Sequence, residues 1–192
     1  MMQHVFYLPW VGREYWQGIH GKKVLVLGES HYATEEDNLP SLTNDVIGYY
    51  LRYLAGEVEH EGWMNTYTKF ANSCPIVGEA FWQSVVFYNF VQVPMSGSRR
   101  SPSGDDFAAG AVPFFEVLAN YEPDVVIVWG KRLWEHLPDG GTWSDFEVLD
   151  ENGGRFYYYH VNGKQIPAYQ VTHPSAGYSE WEEYIAEAIR RC

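Results

Sequence analysis

The stretch Lys22-Lys23-Val24-Leu25-Val26-Leu27-Gly28-Glu29-Ser30-His31-Tyr32 decides the fold of this chain. Its uninterrupted run of branched aliphatic residues is typical of a strand that is buried on both faces of a parallel sheet covered by helices. The strand ends at Gly28, and four polar or polar-tipped residues follow at once. In open α/β sheets, ligands bind in the crevice beyond the carboxyl ends of the strands. The stretch therefore predicts a site at this edge, although Ser30 would also suit the N-cap of a helix.

Length and composition limit the classes of function. At 192 residues, a single domain spanning 1–192 can bury a substantial core. The net charge of −12 argues against sequence-independent binding of nucleic acid, but it leaves room for a local basic rim. The chain has two cysteines, Cys74 and Cys192, and no CxxC pair, so we predict neither a thiolate metal site nor a cofactor. With no signal peptide and no apolar run of membrane length, we expect a cytoplasmic protein without a membrane partner.

Further strands and helices alternate along the chain. Buried strands are predicted at 84–90 and 124–130, and the last strand at 165–172. Helices are predicted over about 43–55, 111–121 and 180–191, and a short amphipathic helix over about 10–19 ahead of the first strand. This alternation predicts an α/β fold, three-layer α/β/α, with a central, mainly parallel four-stranded sheet.

The region before the last strand is less regular. It predicts additional strands at Phe146–Leu149 and Phe156–Val161, with a hairpin turn at Asn152-Gly153-Gly154. The segment 56–84 is rich in aromatic residues and predicts one or two helices without a clear inward face.

Polar residues stand at the ends of the other strands too. The second strand carries Asn89, the third ends in Trp129-Gly130, and the last leads into His173-Pro174-Ser175. If the strands are parallel, these ends converge on one edge of the sheet. The amide of Asn89 must be satisfied there, either by neighbouring backbone or by a ligand.

This order of motifs resembles the uracil-DNA glycosylase superfamily. In that superfamily a glycine-led loop (GQDPY, GEAPG or GxNPG) follows the first strand, an asparagine ends the second, a Trp-Gly or Gly ends the third, and an HPS loop follows the last. The resemblance covers the chain from about Lys22 to the C-terminus. It implies a uracil-DNA glycosylase-like fold and a DNA glycosylase-like protein that cleaves, or binds, a flipped uracil or damaged base at its N-glycosidic bond.

The resemblance also assigns roles in base recognition. His173 would hydrogen-bond the departing base, and Ser175 belongs to the same loop. Asn89 would read the edge of the base, and Tyr32 would limit the size of the pocket. An aromatic residue, for which we take Phe70, would stack on the base. Such a site needs a donor for the anionic base and a snug aromatic slot.

The first loop departs from the family pattern. Ser30 and His31 stand at the positions of the family's aspartate and proline, so Glu29 is the carboxylate left to direct water or balance charge. We therefore predict Glu29, Ser30, His31 and His173 as the catalytic set. An imidazole at His31 would also suit attack on a sugar cation, whereas an ordinary hydrogen-bonded loop residue is the simpler interpretation. Metal binding by Glu29, His31 and His173 fits the residue types, but no ligand spacing supports it.

Three basic residues are candidates for contact with nucleic acid. Arg99 and Arg100 lie in a long loop, 94–106, and Lys131 follows the third strand. Each is predicted either to contact phosphate or to be solvated at the surface.

Two other functions remain open. A GDSL (SGNH) ester hydrolase would use Ser30 as nucleophile, Asn89 as oxyanion donor and the His173-Pro174 pair, but Gln170 stands where that family has its acid. The third hypothesis is a non-catalytic domain that binds a nucleotide or nucleic acid. The sequence predicts no oligomeric state.

Overall fold

The chain folds around one mixed β-sheet flanked by helices. A computed structural model describes residues 2–97, 100–143, 156–176 and 181–191, the side chains of 181–183 excepted. Across these residues the strands are β1 (Trp10–Val11), β2 (Val24–Gly28), β3 (Val85–Asn89), β4 (Val125–Trp129), β5 (Thr142–Trp143), β6 (Tyr157–Val161) and β7 (Lys164–Val171). The helices are α1 (Leu42–Leu54), α2 (Met64–Asn72), α3 (Gly78–Gln83), α4 (Gly104–Ala109), α5 (Ala111–Tyr121), α6 (Lys131–Glu135) and α7 (Trp181–Arg191).

The strand order places the predicted buried strands at the centre of the sheet. The order is β1-β3-β2-β4-β7-β6-β5, and the neighbours among β3, β2, β4 and β7 run parallel. The outer strands β1, β6 and β5 pair antiparallel. The α/β class is thus confirmed. The prediction of a four-stranded, mainly parallel sheet is wrong, because strands at both edges extend the sheet to seven described strands.

One added edge comes from the segment that we expected to be a short helix. Trp10 and Val11 instead pair with Phe87 and Val86 of β3. The indole N–H of Trp10 also donates to the carbonyl of Trp82 at 2.8 Å. Aromatic spacing alone could not distinguish a helical stripe from a two-residue strand and its flanking turns, because both present rings to the sheet.

The other added edge is a β-hairpin. Strands β6 and β7 are joined by Asn162 and Gly163, with φ of 51° and 76°. Positive φ at both central residues is the geometry of a type I′ turn, for which Asn-Gly is the favoured pair. The expected strand at 146–149 and the expected turn at 152–154 lie outside the described residues.

Strand β2 separates two hydrophobic cores. Val24 and Val26 belong to one core, whereas Leu25 and Leu27 belong to the other, and all four are at most 1% exposed. Helices α1, α2, α3 and α7 contribute to the first core, and α4, α5 and α6 to the second. The strand is therefore covered by helices on both faces, which explains its unbroken apolar sequence.

Most predicted helices are present at the expected positions, and one was missed. Helices α1, α5 and α7 match the predicted ranges within a few residues. Helix α4 begins inside the segment that we expected to be a loop. Its N-cap Ser103 and the N3 residue Asp106 form a reciprocal capping box, which satisfies main-chain donors of the first turn. None of the helices in the described ranges combines the length and apolar character needed to cross a membrane.

Candidate functional site

A cleft of about 890 Å³ opens at the carboxyl ends of the parallel strands, on the side covered by α1 and α2. Its lining includes residues from the loop after β2, from the ends of β3 and β4, and from the loop after β7. The sequence-predicted residues in this lining are Glu29, Ser30, His31, Tyr32, Asn89, His173 and Ser175.

Main-chain hydrogen bonds hold the loop after β2 against the segment after β3. Phe90 N–H donates to the Gly28 carbonyl at 2.9 Å, and Val91 N–H donates to the Glu29 carbonyl at 2.8 Å. Farther along, Met95 N–H donates to the His31 carbonyl at 2.8 Å. The pairing of the two strands therefore continues past their ends and fixes the backbone that carries Glu29 to Tyr32.

The floor of the cleft contains a buried hydrogen-bond cluster. Nε2 of His31 lies 2.8 Å from Oγ1 of Thr43 on α1 and 3.0 Å from Nδ2 of Asn89. An amide N–H is a donor only, so Nε2 accepts and the ring is neutral. Burial lowers the pKa of His31 to about 4, in agreement with that state. His31 is thus held as a structural member of the floor, which supports the simpler of its two sequence interpretations.

Gly28 is the residue that lets Asn89 occupy its position. A Cβ at residue 28 would lie only 2.2 Å from Oδ1 of Asn89 and 3.1 Å from Cζ of Phe87. The glycine at the end of β2 is therefore required by close packing. One amide proton of Asn89 bonds to His31, and the side chain still lines the cleft.

His173 is oriented by its own loop. Ser175 donates its main-chain N–H to Nδ1 of His173 at 3.1 Å, and the Ser175 Oγ lies 2.8 Å from the same nitrogen. Because Nδ1 accepts, a neutral His173 carries its proton on Nε2. Burial, opposed by nearby Glu29 and assisted by Arg132, lowers the pKa of His173 and favours this neutral form. Gly130, with φ of 93°, permits the close approach, since a Cβ there would lie 3.1 Å from Cβ of His173.

Glu29, the predicted catalytic carboxylate, is engaged in a two-point ion pair. Arg132 donates Nε to Oε2 at 2.7 Å and Nη2 to Oε1 at 2.5 Å. Its third contact is from Nη1 to Oγ of Ser101, at 2.6 Å. The Glu29 side chain is 11% exposed, whereas that of Arg132 is 49% exposed. Arg132 therefore ties the loop after β2 to the segment before α4 and leaves no lone carboxylate at Glu29.

Sequence reasoning missed one wall of the cleft. This wall consists of aromatic and acidic residues of α1, α2 and the segments before them: Asp37, Asp45, Tyr49, Glu61, Trp63 and Tyr67. Segment 56–84 has no clear periodicity, so its sequence offered no signal for which aromatic ring faces the strand ends. The acidic residues were equally compatible with solvated helix ends.

Phe70 lies beneath the cleft rather than in its lining. It is 0% exposed and packs edge-on against Trp129 and Phe81, with centroid separations of 4.9 and 5.6 Å. A ring with no accessible face cannot stack on a bound base, which corrects our expectation for Phe70. Tyr32 lines the cleft but is 53% exposed, so it stands at the rim and does not narrow the floor.

The basic residues predicted for nucleic acid lie outside the lining. Arg100 and Lys131 are exposed and do not line the cleft, and Lys131 pairs with Glu135 at 3.5 Å. Arg99 lies outside the described residues. Both described residues fit the solvated-surface alternative.

The geometry does not assemble a hydrolase dyad at Ser30. Within the described ranges, no hydrogen bond joins Ser30 to a histidine, and Nδ1 of His173 is engaged by Ser175. The same part of the chain contains no group of three His, Cys, Asp or Glu side chains arranged to hold a metal ion.

The cleft therefore combines a neutral imidazole donor, a buried amide and a wall of aromatic rings. Comparison with protein-family models gives no match for this chain, and comparison with curated proteins gives none either.

Proposed function

We propose that the cleft binds a nucleobase attached to a sugar and promotes cleavage of the N-glycosidic bond, in the manner suggested by the resemblance to uracil-DNA glycosylases. The observation that carries the proposal is the fixed tautomer of His173, whose Nδ1 accepts from Ser175 so that Nε2–H is the available donor. A departing base accumulates negative charge on an exocyclic oxygen, and an oriented neutral donor stabilises that charge.

Other parts of the cleft suit a flat heterocycle. Asn89 at the floor offers an amide, which carries both donors and an acceptor for the edge of a base. Tyr67, Trp63 and Tyr49 line one wall, and their rings provide faces for stacking. The predicted uracil-DNA glycosylase-like fold belongs to this proposal, supported by four parallel strands whose ends carry the motifs in the expected order.

The expected role of Glu29 is revised in this proposal. Both carboxylate oxygens of Glu29 accept N–H groups of Arg132, so neither is aimed at a water molecule, and the proposal gives Glu29 electrostatic stabilisation of a sugar cation more than activation of water. The ion pair also favours a second candidate, namely a domain that binds the base without cleaving the bond.

Release of free base separates these candidates. Wild type, His173→Ala and His160→Ala are incubated with a uracil-containing single-stranded oligonucleotide and with a panel of nucleosides, and chromatography quantifies free base. His160 is exposed on β6 and does not line the cleft, so it is the matched histidine control. We expect a loss of about 10²- to 10³-fold for His173→Ala, the usual effect of removing one oriented donor, and no loss for the control.

Binding without release would support the non-catalytic candidate. Equal release by wild type and His173→Ala would contradict the proposal, because the leaving base would then need no donor from His173.

A further inference from the structure

We infer that the substrate of this cleft is a free nucleoside, uncharged or cationic, and not a nucleotide carrying phosphate at the rim. The inference rests on the proposed function and names its substrate class. It derives from how charge is distributed between the floor and the rim of the cleft.

The exposed rim is acidic. Asp37, Asp45 and Glu61 are exposed and line the cleft. Their carboxylates accept hydrogen bonds from neutral donors. Thr34 Oγ1 donates to Asp37 at 2.7 Å, Ser41 Oγ donates to Asp45 at 2.7 Å, and the indole N–H of Trp63 donates to Glu61 at 3.0 Å.

The rim charges are therefore not neutralised. In the described part of the chain, no ion pair involves any of these three carboxylates. Their hydrogen bonds to hydroxyl and indole groups leave the negative charges in place, so a phosphate brought to the rim would meet repulsion.

No unpaired cation in the described lining offsets this repulsion. Arg132 is the one arginine or lysine among the described lining residues, and its charge is already balanced by the carboxylate of Glu29, to which two of its N–H groups donate while a third donates to Ser101. The basic residues expected to contact phosphate, Arg100 and Lys131, do not line the cleft. Binding of a nucleic-acid backbone normally depends on free Lys and Arg side chains along its path.

The aromatic wall is suited to a flat ligand that is neutral or positively charged. Trp63 and Tyr49 are tilted by 33° at a centroid separation of 6.3 Å, and Trp63 meets Tyr67 edge-on at 5.6 Å. Ring faces attract cations as well as stacking on bases, and the neighbouring carboxylates strengthen that attraction. A volume of about 890 Å³ is within the range of clefts that enclose small molecules.

The reaction needs no reactant other than water. The C1′–N bond breaks and its electron pair remains with the base, whose oxygen is met by Nε2–H of His173. The oxygen of water bonds to C1′. One proton of that water ends on the base when the nucleoside is uncharged, and passes to solvent when the nucleoside is cationic, because a cationic base leaves as a neutral molecule. The products are a free base and a free pentose.

The test compares substrates that differ only in phosphate. We would measure kcat/KM for base release from uridine, uridine 5′-monophosphate, 7-methylguanosine and a uracil-containing single-stranded oligonucleotide at low and high salt. Dissociation constants for the same four probes come from quenching of tryptophan fluorescence. We expect a nucleoside to be favoured over the monophosphate by at least about 10-fold at low salt, with a smaller ratio at high salt, where rim charges are screened.

A charge-matched pair of variants links the preference to the rim. In Asp45→Asn/Glu61→Gln the ratio of nucleoside to monophosphate should fall several-fold. Glu14→Gln/Asp105→Asn removes the same charge from exposed positions outside the cleft and should leave the ratio at its wild-type value.

The outcomes distinguish the inference from the proposed function. Tighter binding and faster release with the oligonucleotide than with either nucleoside would overturn the inference and leave the proposed function standing. Binding of a nucleoside without release of its base would contradict the proposed cleavage of the N-glycosidic bond. It would still support the inference that the cleft binds free nucleosides. Absence of binding to all four probes would overturn both.

Discussion

The carboxylate of Glu29 and the guanidinium of Arg132 form a two-point ion pair between residues 103 positions apart, and both residues line the cleft. It joins the loop after β2 to the first turn of α6. The chemistry of the cleft depends on it in two ways, because it neutralises the carboxylate and sets the electrostatic environment of His173.

The first prediction concerns the energy of this pair. In a double-mutant cycle with Glu29→Gln and Arg132→Gln, we expect a coupling free energy of about 1 kcal/mol, since the geometry is bidentate but the arginine is half exposed. Urea unfolding of the four proteins measures this coupling. The exposed pair Lys131–Glu135, also on α6, is the control and should give a coupling of about 0.3–0.5 kcal/mol. Equal coupling free energies in the two cycles would contradict the stronger interaction that we expect of the two-point Glu29–Arg132 pair.

The second prediction concerns the pH dependence of base release. Under the proposed function His173 donates in its neutral form, and its pKa is lowered, mainly by burial. Activity should therefore be constant from alkaline pH down to about 6.5, the ordinary histidine value, and fall only at more acid pH. Arg132 lowers the pKa and Glu29 raises it, so Arg132→Gln should move the acid limb to higher pH and Glu29→Gln to lower pH. Identical acid limbs in the three proteins would contradict this electrostatic assignment.

The third prediction concerns Tyr67, which the sequence did not identify. Its hydroxyl has no hydrogen-bond partner in the described part of the chain, and burial raises its pKa, so it is a neutral group available to a ligand. Tyr67→Phe keeps the ring contacts with Trp82, Phe87 and Trp129 and should lower kcat/KM by about 10-fold while leaving the melting temperature unchanged.

The control for Tyr67 is a tyrosine in the opposite core. Tyr159 donates its hydroxyl to the carbonyl of Pro138 at 3.2 Å. Tyr159→Phe should cost about 1 kcal/mol of unfolding free energy and leave activity intact. If both variants showed the same pattern, the Tyr67 hydroxyl would have only a structural role.

The fourth prediction concerns stability in acid. Burial lowers the pKa of His31 from its ordinary value of about 6.5 to about 4 in the folded protein, so the unfolded chain binds more protons between these pH values. This contribution to stability is complete above about pH 6.5 and is lost as the pH falls towards 4, with a total of about 3 kcal/mol. His31→Gln, which keeps a hydrogen-bonding amide that does not titrate, should show a correspondingly shallower decline. Parallel curves for wild type and His31→Gln would refute the assignment.

The fifth prediction concerns Gly28. An added methyl group would overlap Asn89 Oδ1, so Gly28→Ala should cost about 1–3 kcal/mol and weaken binding of a base. Gly48, within α1, has nothing within 4 Å of an added Cβ, and Gly48→Ala should stabilise the protein by about 0.5–1 kcal/mol. Thermal unfolding of both variants measures these changes. An unchanged free energy of unfolding in Gly28→Ala would contradict the prediction, because Asn89 would then move aside at no cost.

The central strands and the polar strand ends could be predicted from the sequence because both depend on local patterns. The unbroken apolar runs around Leu25, Val86 and Ile127 are stable only when both faces of the strand are buried. Because the strands are parallel, Asn89 and His173 then lie at the same edge of the sheet. Side-chain pairing across the fold could not be predicted. Nothing near Glu29 indicates that Arg132 will occupy it, because that contact depends on the way the sheet brings β2 and β4 together.

The aromatic wall shows the same limit. Phe70 and Tyr67 are three residues apart on one helix, yet Phe70 is buried beneath the cleft and Tyr67 lines it. With aromatic residues on several sides of α2, the helical period does not identify which ring faces the sheet and which faces the opening.

The main-chain bonds that continue from the paired strands into the loops have a consequence for how this domain can diversify. The bonds at Phe90, Val91 and Met95 involve backbone atoms alone, so they are indifferent to the side chains carried at positions 29 to 32. The side chains of Ser30 and Tyr32 are not buried, so substitutions at these two positions can change the chemistry of the cleft with neither insertion nor rearrangement of the chain. Chains built on this frame could differ at these two positions and remain superimposable at this edge of the sheet.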